Sequence, residues 1–200
     1  MSDSHILITL DLSTNSTGYA VFNSKTKKLI TYGNLKPKVS GLHKLKYPAA
    51  ALLKIKDIAS KVKDLVAEHD PESIVIEEVN RGINRIAQKS LDALHFFVLD
   101  YLTLIDETWI TRVRYMDSNG VRGWRGKLEL KLSDEDKEHN KKVRKKYAKE
   151  EAQKHIVDWK VLAQRYVNAK YGTSFDVKEN EEHADICDAI AMGDAWFLRK

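Results

Sequence analysis

The stretch ITLDLSTNSTGYAVFN (residues 8–23) decides the fold expected of this chain. Two apolar runs, rich in β-branched and aromatic residues, flank a polar segment of Ser, Thr and Asn, which is the pattern of an antiparallel strand pair joined by a turn. Asp11 stands at the end of the first run. The stretch alone leaves two interpretations open: Asp11 caps the turn that follows it, or its carboxylate lies at the floor of a site that needs negative charge.

The N-terminal half continues this pattern and then changes period. A three-stranded antiparallel meander is predicted over 5–12, 17–23 and 27–34. From Pro48 to His69 apolar residues recur every three or four positions, which predicts an amphipathic helix. The apolar run SIVIEEV (73–79) does not alternate, so it predicts a strand buried on both faces and parallel to the first.

The C-terminal half predicts further helices around one more strand. The pattern indicates a helix over 88–106, a strand over 108–116, a loop over 118–131, charged helices over 133–158 and 159–171, and a last helix that starts at Asn180. Together these elements predict an α/β fold with a five-stranded mixed sheet, three strands antiparallel and two parallel, flanked by helices. We expect residues 1–200 to form a single domain, with a basic helical insertion at 131–160.

Composition favours a cytoplasmic protein with a nucleic-acid partner. The single cysteine, Cys187, cannot form an intramolecular disulfide, and no Cys/His cluster has the spacing of a zinc site. No run approaches the length of a membrane span, and the N-terminus lacks the basic region of a signal peptide. The net charge of +5 is local, because residues 137–149 carry seven Lys or Arg against one Glu.

Acidic residues recur among apolar neighbours at three places: Asp11, the pair Glu77 and Glu78, and the pair Asp185 and Asp188. Burying a lone carboxylate costs several kcal/mol unless it is paired or binds a metal. Asp185 and Asp188 are three apart and share one face of the last helix. Hard oxygen ligands at this density favour Mg²⁺ or Mn²⁺. Taken alone, each acid is explained equally well as a cap or a turn former.

Three neighbouring residues are less convincing candidates. His183 lies about 200° around the last helix from Asp185, so a role in the site requires the helix to begin after it. Cys187 is interpreted as a small buried side chain. Asp194 lies off the acidic face and is expected to be solvated.

These residues carry a resemblance to a known family. LDLSTNSTGYAV, VIEEV and HADICDAIAMG resemble, in order, the three acidic motifs of the RuvC family of Holliday-junction resolvases, within the RNase H-like (retroviral integrase) superfamily. The resemblance covers roughly 1–125 and 180–200. It implies an acidic tetrad of Asp11, Glu77, Asp185 and Asp188, and it selects Glu77 over Glu78. Asp11 would bridge two divalent metal ions.

The resemblance also implies a function. It predicts a homodimeric, structure-selective endonuclease that cuts four-way and other branched DNA with symmetric nicks, using Mg²⁺ or Mn²⁺. Leu12-Ser13 replaces the usual Pro-Gly, and Asn80 stands where an aromatic residue is common. These departures fit a divergent, bacteriophage-type member acting in the cytoplasm of a bacterial host.

Basic residues in two loops and in the charged run are expected to bind DNA phosphates. They are Arg81, Arg85, Lys89, Arg122, Arg125, Lys127, Lys141, Lys142, Arg144, Lys145 and Lys146. Lys154 is a further candidate for charge near the site, and the apolar helix at 88–106 is the candidate dimer contact. Alternatives are another RNase H-like nuclease, such as a ribonuclease H or an integrase-like enzyme, and a non-catalytic branched-DNA-binding module.

Overall fold

The computed structural model describes residues 5–78 and 85–199, and its core is one mixed β-sheet. The strands are β1 (Ile6–Asp11), β2 (Thr17–Asn23), β3 (Lys28–Leu35), β4 (Ser73–Glu77) and β5 (Val113–Met116). They lie in the order β3-β2-β1-β4-β5. The first three strands are antiparallel, while β4 runs parallel to β1 and β5 runs parallel to β4. The predicted five-stranded mixed sheet is therefore confirmed.

Eight α-helices flank the sheet within the described part of the chain. They are α1 (Ala49–His69), α2 (Arg85–Thr103), α3 (Trp109–Arg112), α4 (Trp124–Lys127), α5 (Asp134–Lys146), α6 (Lys149–His155), α7 (Trp159–Tyr171) and α8 (Glu181–Trp196). None of these helices combines the length and the apolar character needed to span a membrane.

The two faces of the sheet have separate apolar cores, because successive side chains of a strand point to opposite faces. Ile8 and Leu10 of β1 pack in the core beneath α1 and α2. Leu7 of β1 and Val75 of β4 pack in the other core, against α7 and α8. The same alternation puts the side chains of Asp11 and Glu77 on the face that α8 covers.

Helix α8 is buried along most of its length, and this corrects one prediction. Asp194, expected to be solvated, is only 5% exposed. Its carboxylate accepts hydrogen bonds from the hydroxyls of Tyr171, at 2.8 Å, and Tyr166, at 3.1 Å, and pairs with Lys170 at 2.7 Å. The prediction was wrong because α7 packs against the side of α8 that the sequence pattern left to solvent.

Three predicted elements differ in extent from the observed ones. Of the strand expected over 108–116, only β5 is extended, and the residues before it form the single turn α3. The loop expected over 118–131 contains α4. The helix expected over 133–158 is divided at Tyr147 and Ala148, which have extended backbone. This break lets Val143 of α5 pack with Ala152 of α6 and with Ile156.

Candidate active site

The carboxylates of Asp11, Glu77 and Asp188 come together at one end of the sheet. Each offers an oxygen atom, and these atoms lie within 4.8 Å of one another. Asp11 ends β1 and Glu77 ends β4, and the pairing of Leu10 with Ile76 places these two acids side by side. Helix α8 supplies Asp188 and is fixed to β1 by the Thr9 hydroxyl, which donates to the Ala189 carbonyl at 2.7 Å.

Asp185 lies next to this cluster but is held by the polar loop after β1. The Ser16 hydroxyl donates to its carboxylate, and the Asn34 amide donates to Ser16 at 2.7 Å. Burial raises the pKa of Asp185 above its usual value, and the hydrogen bond from Ser16 opposes part of this rise. Ser16 and Asn34 were not predicted from the sequence, because their contact with Asp185 spans more than 145 positions of the chain and no local pattern signals it.

The cluster is electrostatically strained without a cation. Burial, and then the negative charges of Glu77 and Asp188, hold the pKa of Asp11 well above its usual range. Burial and the charge of Glu77 raise the pKa of Asp188 to about 7, although nearby Arg125 and Lys160 oppose this rise. Buried carboxylates that repel one another are stabilised when a divalent cation binds between them.

The donor set fits a hard divalent metal ion. All three clustered ligands are carboxylate oxygens, the type that Mg²⁺ and Mn²⁺ prefer. The Oδ1 atom of Asp188 is buried and has no hydrogen-bond partner among the described residues. A buried acceptor without a donor is costly, and a metal ion at this position would satisfy it.

Arg125 lies next to the acids, although the sequence predicted only a DNA-binding residue in a loop. Its Nη2 atom is 3.7 Å from the Asp188 Oδ2 atom, and its side chain is only 17% exposed. The neighbouring Trp124 is fully buried and its indole NH donates to Glu77 at 3.3 Å. Helix α4 thus carries one residue that orients Glu77 and one that supplies positive charge.

Lys160, at the start of α7, is a lysine whose charge acts on the site. It lowers the pKa of Asp11, Asp185 and Asp188. Lys154, the lysine named from the sequence, is instead exposed and paired with Glu151 at 2.8 Å. Lys160 was missed because it belongs to a charged helix whose position relative to the acids depends on the tertiary fold.

Two other residues near the acids, His183 and Cys187, have contacts typical of residues that support the fold. Helix α8 begins at Glu181, before His183, and the His183 Nδ1 atom lies 3.0 Å from the Asp176 amide that donates to it. Cys187 is fully buried, and this burial raises the pKa of its thiol to about 12. The Nδ1 atom of His183 is therefore engaged by the backbone, and the Cys187 thiol is held in its protonated form.

The remaining predicted DNA-binding residues lie at several places on the surface. Five of these predicted residues are exposed on helix α5, namely Lys141, Lys142, Arg144, Lys145 and Lys146. Arg85 and Lys89 are exposed on α2, Arg122 is exposed before α4, and Lys127 is partly buried at the end of α4. Arg81 and Asn80 lie outside the described residues.

Sequence comparison with protein-family models and with curated proteins finds no match. Solved structures do match. RuvC of Thermus thermophilus in complex with a Holliday junction substrate is 12% identical, with a TM-score of 0.50, over 95% of this chain and 90% of that chain. A second Thermus thermophilus RuvC structure is 14% identical, with a TM-score of 0.50, over 95% of this chain and 92% of that chain.

The yeast mitochondrial Holliday junction resolvase Ydc2 is also similar, at 11% identity and a TM-score of 0.48, over 96% of this chain and 77% of that chain. The two Thermus thermophilus structures show that this chain has the RuvC-like resolvase fold, reached by a highly divergent sequence. The fold implied by the three sequence motifs is thereby confirmed.

Proposed function

From this RuvC-like fold, we propose that the chain is a metal-dependent, structure-selective endodeoxyribonuclease that resolves four-way and other branched DNA by symmetric nicking. The observation that carries the proposal is the cluster of Asp11, Glu77 and Asp188, whose oxygen atoms lie within 4.8 Å of one another on this fold. The similarity to resolvase structures supports branched DNA as the substrate.

Four carboxylates would bind the metal ions. Asp11, Glu77 and Asp188 would hold the ions, and the resemblance to the resolvase family assigns to Asp11 the carboxylate shared by both ions. Asp185, held by Ser16 at the edge of the cluster, would complete a coordination sphere or position the attacking water. Mg²⁺ or Mn²⁺ bound here supplies an activated water and stabilises the negative charge that develops on the phosphate during an in-line displacement.

The protein's own cations have a complementary role. Arg125 and Lys160 lie close enough to lower the pKa of Asp188, so their positive charge reaches the place where a scissile phosphate would bind. Positioned cations in a water-poor site stabilise developing negative charge strongly. We assign them to binding and orienting that phosphate.

The exposed basic residues of α5 would bind phosphates of the DNA arms. Most charges on this helix after its first turn are positive and face solvent, so they add rather than cancel. Contacts of this kind recognise the backbone and not the base sequence, which suits an enzyme that selects a DNA shape.

Helix α2 would form the dimer contact. Phe96 is 73% exposed on this helix and Leu104, which directly follows its end, is 79% exposed. A four-way junction presents two equivalent strands, and a two-fold dimer matches that symmetry. An isologous contact through α2 would bury these apolar side chains.

The proposal is tested by incubating the protein with three labelled substrates, each with and without Mg²⁺: a four-way junction, a linear duplex and an RNA–DNA hybrid. Paired nicks in the junction alone, and only with metal, support it. Cutting of the hybrid would indicate a ribonuclease H, and cutting of the linear duplex an integrase-like nuclease. Junction binding without any cutting would indicate a non-catalytic module.

A further inference from the structure

Trp159, the first residue of α7, is an unusually exposed tryptophan. Its side chain is 45% exposed, whereas Trp109 and Trp124 are 2% and 0% exposed. Single exposed apolar residues are common on protein surfaces and carry no meaning by themselves. The position and the support of this ring are what give it significance.

The ring borders the carboxylate cluster. The Arg125 guanidinium carbon is 5.9 Å from the centre of the Trp159 ring and 4.7 Å from that of Trp124. The same guanidinium group lies 3.7 Å from Asp188. Trp159 is therefore separated from a proposed metal ligand by a single side chain, and the next residue, Lys160, acts electrostatically on the same acids.

The backbone that presents Trp159 is held rigidly. Asn140 of α5, which is 4% exposed, accepts a hydrogen bond from the Val157 amide and donates one to the Val157 carbonyl, both at 2.7 Å. Asp158 caps α7 by accepting from the Val161 amide at 3.1 Å, and it pairs with Lys178 at 3.4 Å. These bonds hold Val157 and Asp158, the two residues directly before Trp159, in place.

Helix α5 carries positive charge and also supports the start of α7. A buried asparagine from α5 is committed to the turn before Trp159, and Asp136 of α5 pairs with Arg165 of α7 at 2.9 Å. Backbone held in this way loses little conformational entropy when a ligand binds to the side chain that it carries, which favours a binding role.

We propose that Trp159 is a nucleobase platform, a binding residue that stacks on the uncovered face of a branch-point base next to the scissile phosphate of branched DNA. This inference rests on the proposed function. In a continuous duplex both faces of each base are covered by neighbouring bases, whereas at the branch point of an open junction, where the arms are not stacked on one another, a base has one face free for an aromatic ring. Trp159 therefore favours branched over linear DNA.

The test compares Trp159→Ala and Trp159→Phe with the wild-type protein for binding to a four-way junction and to a linear duplex of the same length. Stacking on an aromatic side chain contributes about 1–3 kcal/mol per base, so we expect Trp159→Ala to weaken junction binding by about 5- to 150-fold. Trp159→Phe keeps an aromatic face and should retain most of the affinity. Duplex binding should change by less than about twofold in both variants.

Fluorescence provides a second measurement. Binding of the junction in EDTA, where no strand is cut, should quench tryptophan emission in the wild type because a base stacks on the exposed indole, and Trp159→Phe should lose that part of the quenching. Junction affinity unchanged in Trp159→Ala, or equal losses for junction and duplex, would overturn the inference while leaving the proposed function intact. A wild-type protein that neither binds nor cuts the junction would overturn both.

Discussion

The Cα atom of Gly18 packs directly against the backbone carbonyl of Asp185. A Cβ atom built on Gly18 would overlap that carbonyl group, so no other residue fits between β2 and α8 at this point. Gly18 is also the β2 partner of Asp11 in the sheet. One glycine therefore sets the distance between the strand that carries Asp11 and the helix that carries Asp185 and Asp188.

We expect Gly18→Ala to reduce junction cleavage by at least about tenfold, because the added methyl group must push α8 away from the sheet and separate the acids. Overpacking of this kind costs about 1–3 kcal/mol, so the variant should fold but melt at a lower temperature. The measurements are cleavage rate and thermal unfolding.

Gly41→Ala is the matched control, since a Cβ there meets no atom within 4 Å and the residue lies partly exposed in a turn. Its left-handed backbone makes the substitution cost about 1–2 kcal/mol. Equal loss of stability in both variants with unchanged cleavage in Gly18→Ala would contradict the spacing role.

The pH dependence of stability should reveal the strain in the acidic cluster. The pKa of Asp188 is raised from its ordinary 3.8 to about 7 in the folded protein. The Asp188 carboxyl group therefore binds its proton more tightly in the folded state than in the unfolded state. Because raising the pH removes this proton, the metal-free protein should lose stability as pH rises from about 4 to about 7. The loss for this group is up to about 4 kcal/mol at about 1.4 kcal/mol per pKa unit.

Asp188→Asn cannot ionise, so the metal-free variant should melt at a higher temperature than the wild type at pH 8 and show a flatter pH dependence. Mg²⁺ should raise the melting temperature of the wild type and have a smaller effect on the variant. Asp100→Asn, on the exposed side of α2, is the control. If the metal-free wild type melts at the same temperature as Asp188→Asn at pH 8, or at a higher one, the negative charge of Asp188 does not destabilise the folded protein.

Positive charge on α5 should contribute to DNA affinity through binding to phosphates. Replacing Lys141, Lys142 and Lys145 with Gln should weaken junction binding and reduce the slope of log K against log salt by about 0.9 for each phosphate that the variant no longer neutralises. The same substitutions at Lys25 and Lys27, exposed in the turn between β2 and β3, and at Lys28, the exposed first residue of β3, change the net charge equally. Equal effects of the two triple variants would argue that only net charge matters.

Dimerisation through α2 predicts that Phe96→Glu is monomeric. A charged side chain at a 73% exposed position leaves the fold intact but cannot be buried in an apolar contact. Sedimentation velocity reports the mass, with Ile30→Glu, at a 52% exposed position on edge strand β3, as the control. A wild type that is monomeric at micromolar concentration, or a dimeric Phe96→Glu, would refute this contact.

The sheet could be predicted because it rests on local patterns, whereas the choice of Glu77 over Glu78 came from the resemblance to the resolvase family. Strand alternation explains why Asp11 shares a face with Glu77 and not with Glu78, and helical spacing explains why Asp188 accompanies Asp185. The surroundings of the acids could not be predicted. Arg125 and Lys160 reach the site from separate helices, and only the packing of α4 and α7 against α8 shows this.

The burial of Asp194 and the division of the charged segment into α5 and α6 have the same cause. Both follow from tertiary contacts that no local pattern shows, those of Asp194 with α7 and those between α5 and α6. The charged pattern correctly indicated helices and solvent-facing cations. It could not show that Asn140 and Asp136 of the same segment are buried.

The central claim is that Asp11 is a metal-binding carboxylate in a junction-cutting nuclease. The most direct measurement compares single-turnover cleavage and binding of a four-way junction by the wild type and Asp11→Asn in Mg²⁺. We predict paired, metal-dependent nicks by the wild type, and cleavage by Asp11→Asn that is at least about a thousandfold slower with affinity within about twofold. Cleavage by the variant at the wild-type rate, a parallel loss of binding, or a wild type that leaves the junction intact would contradict it.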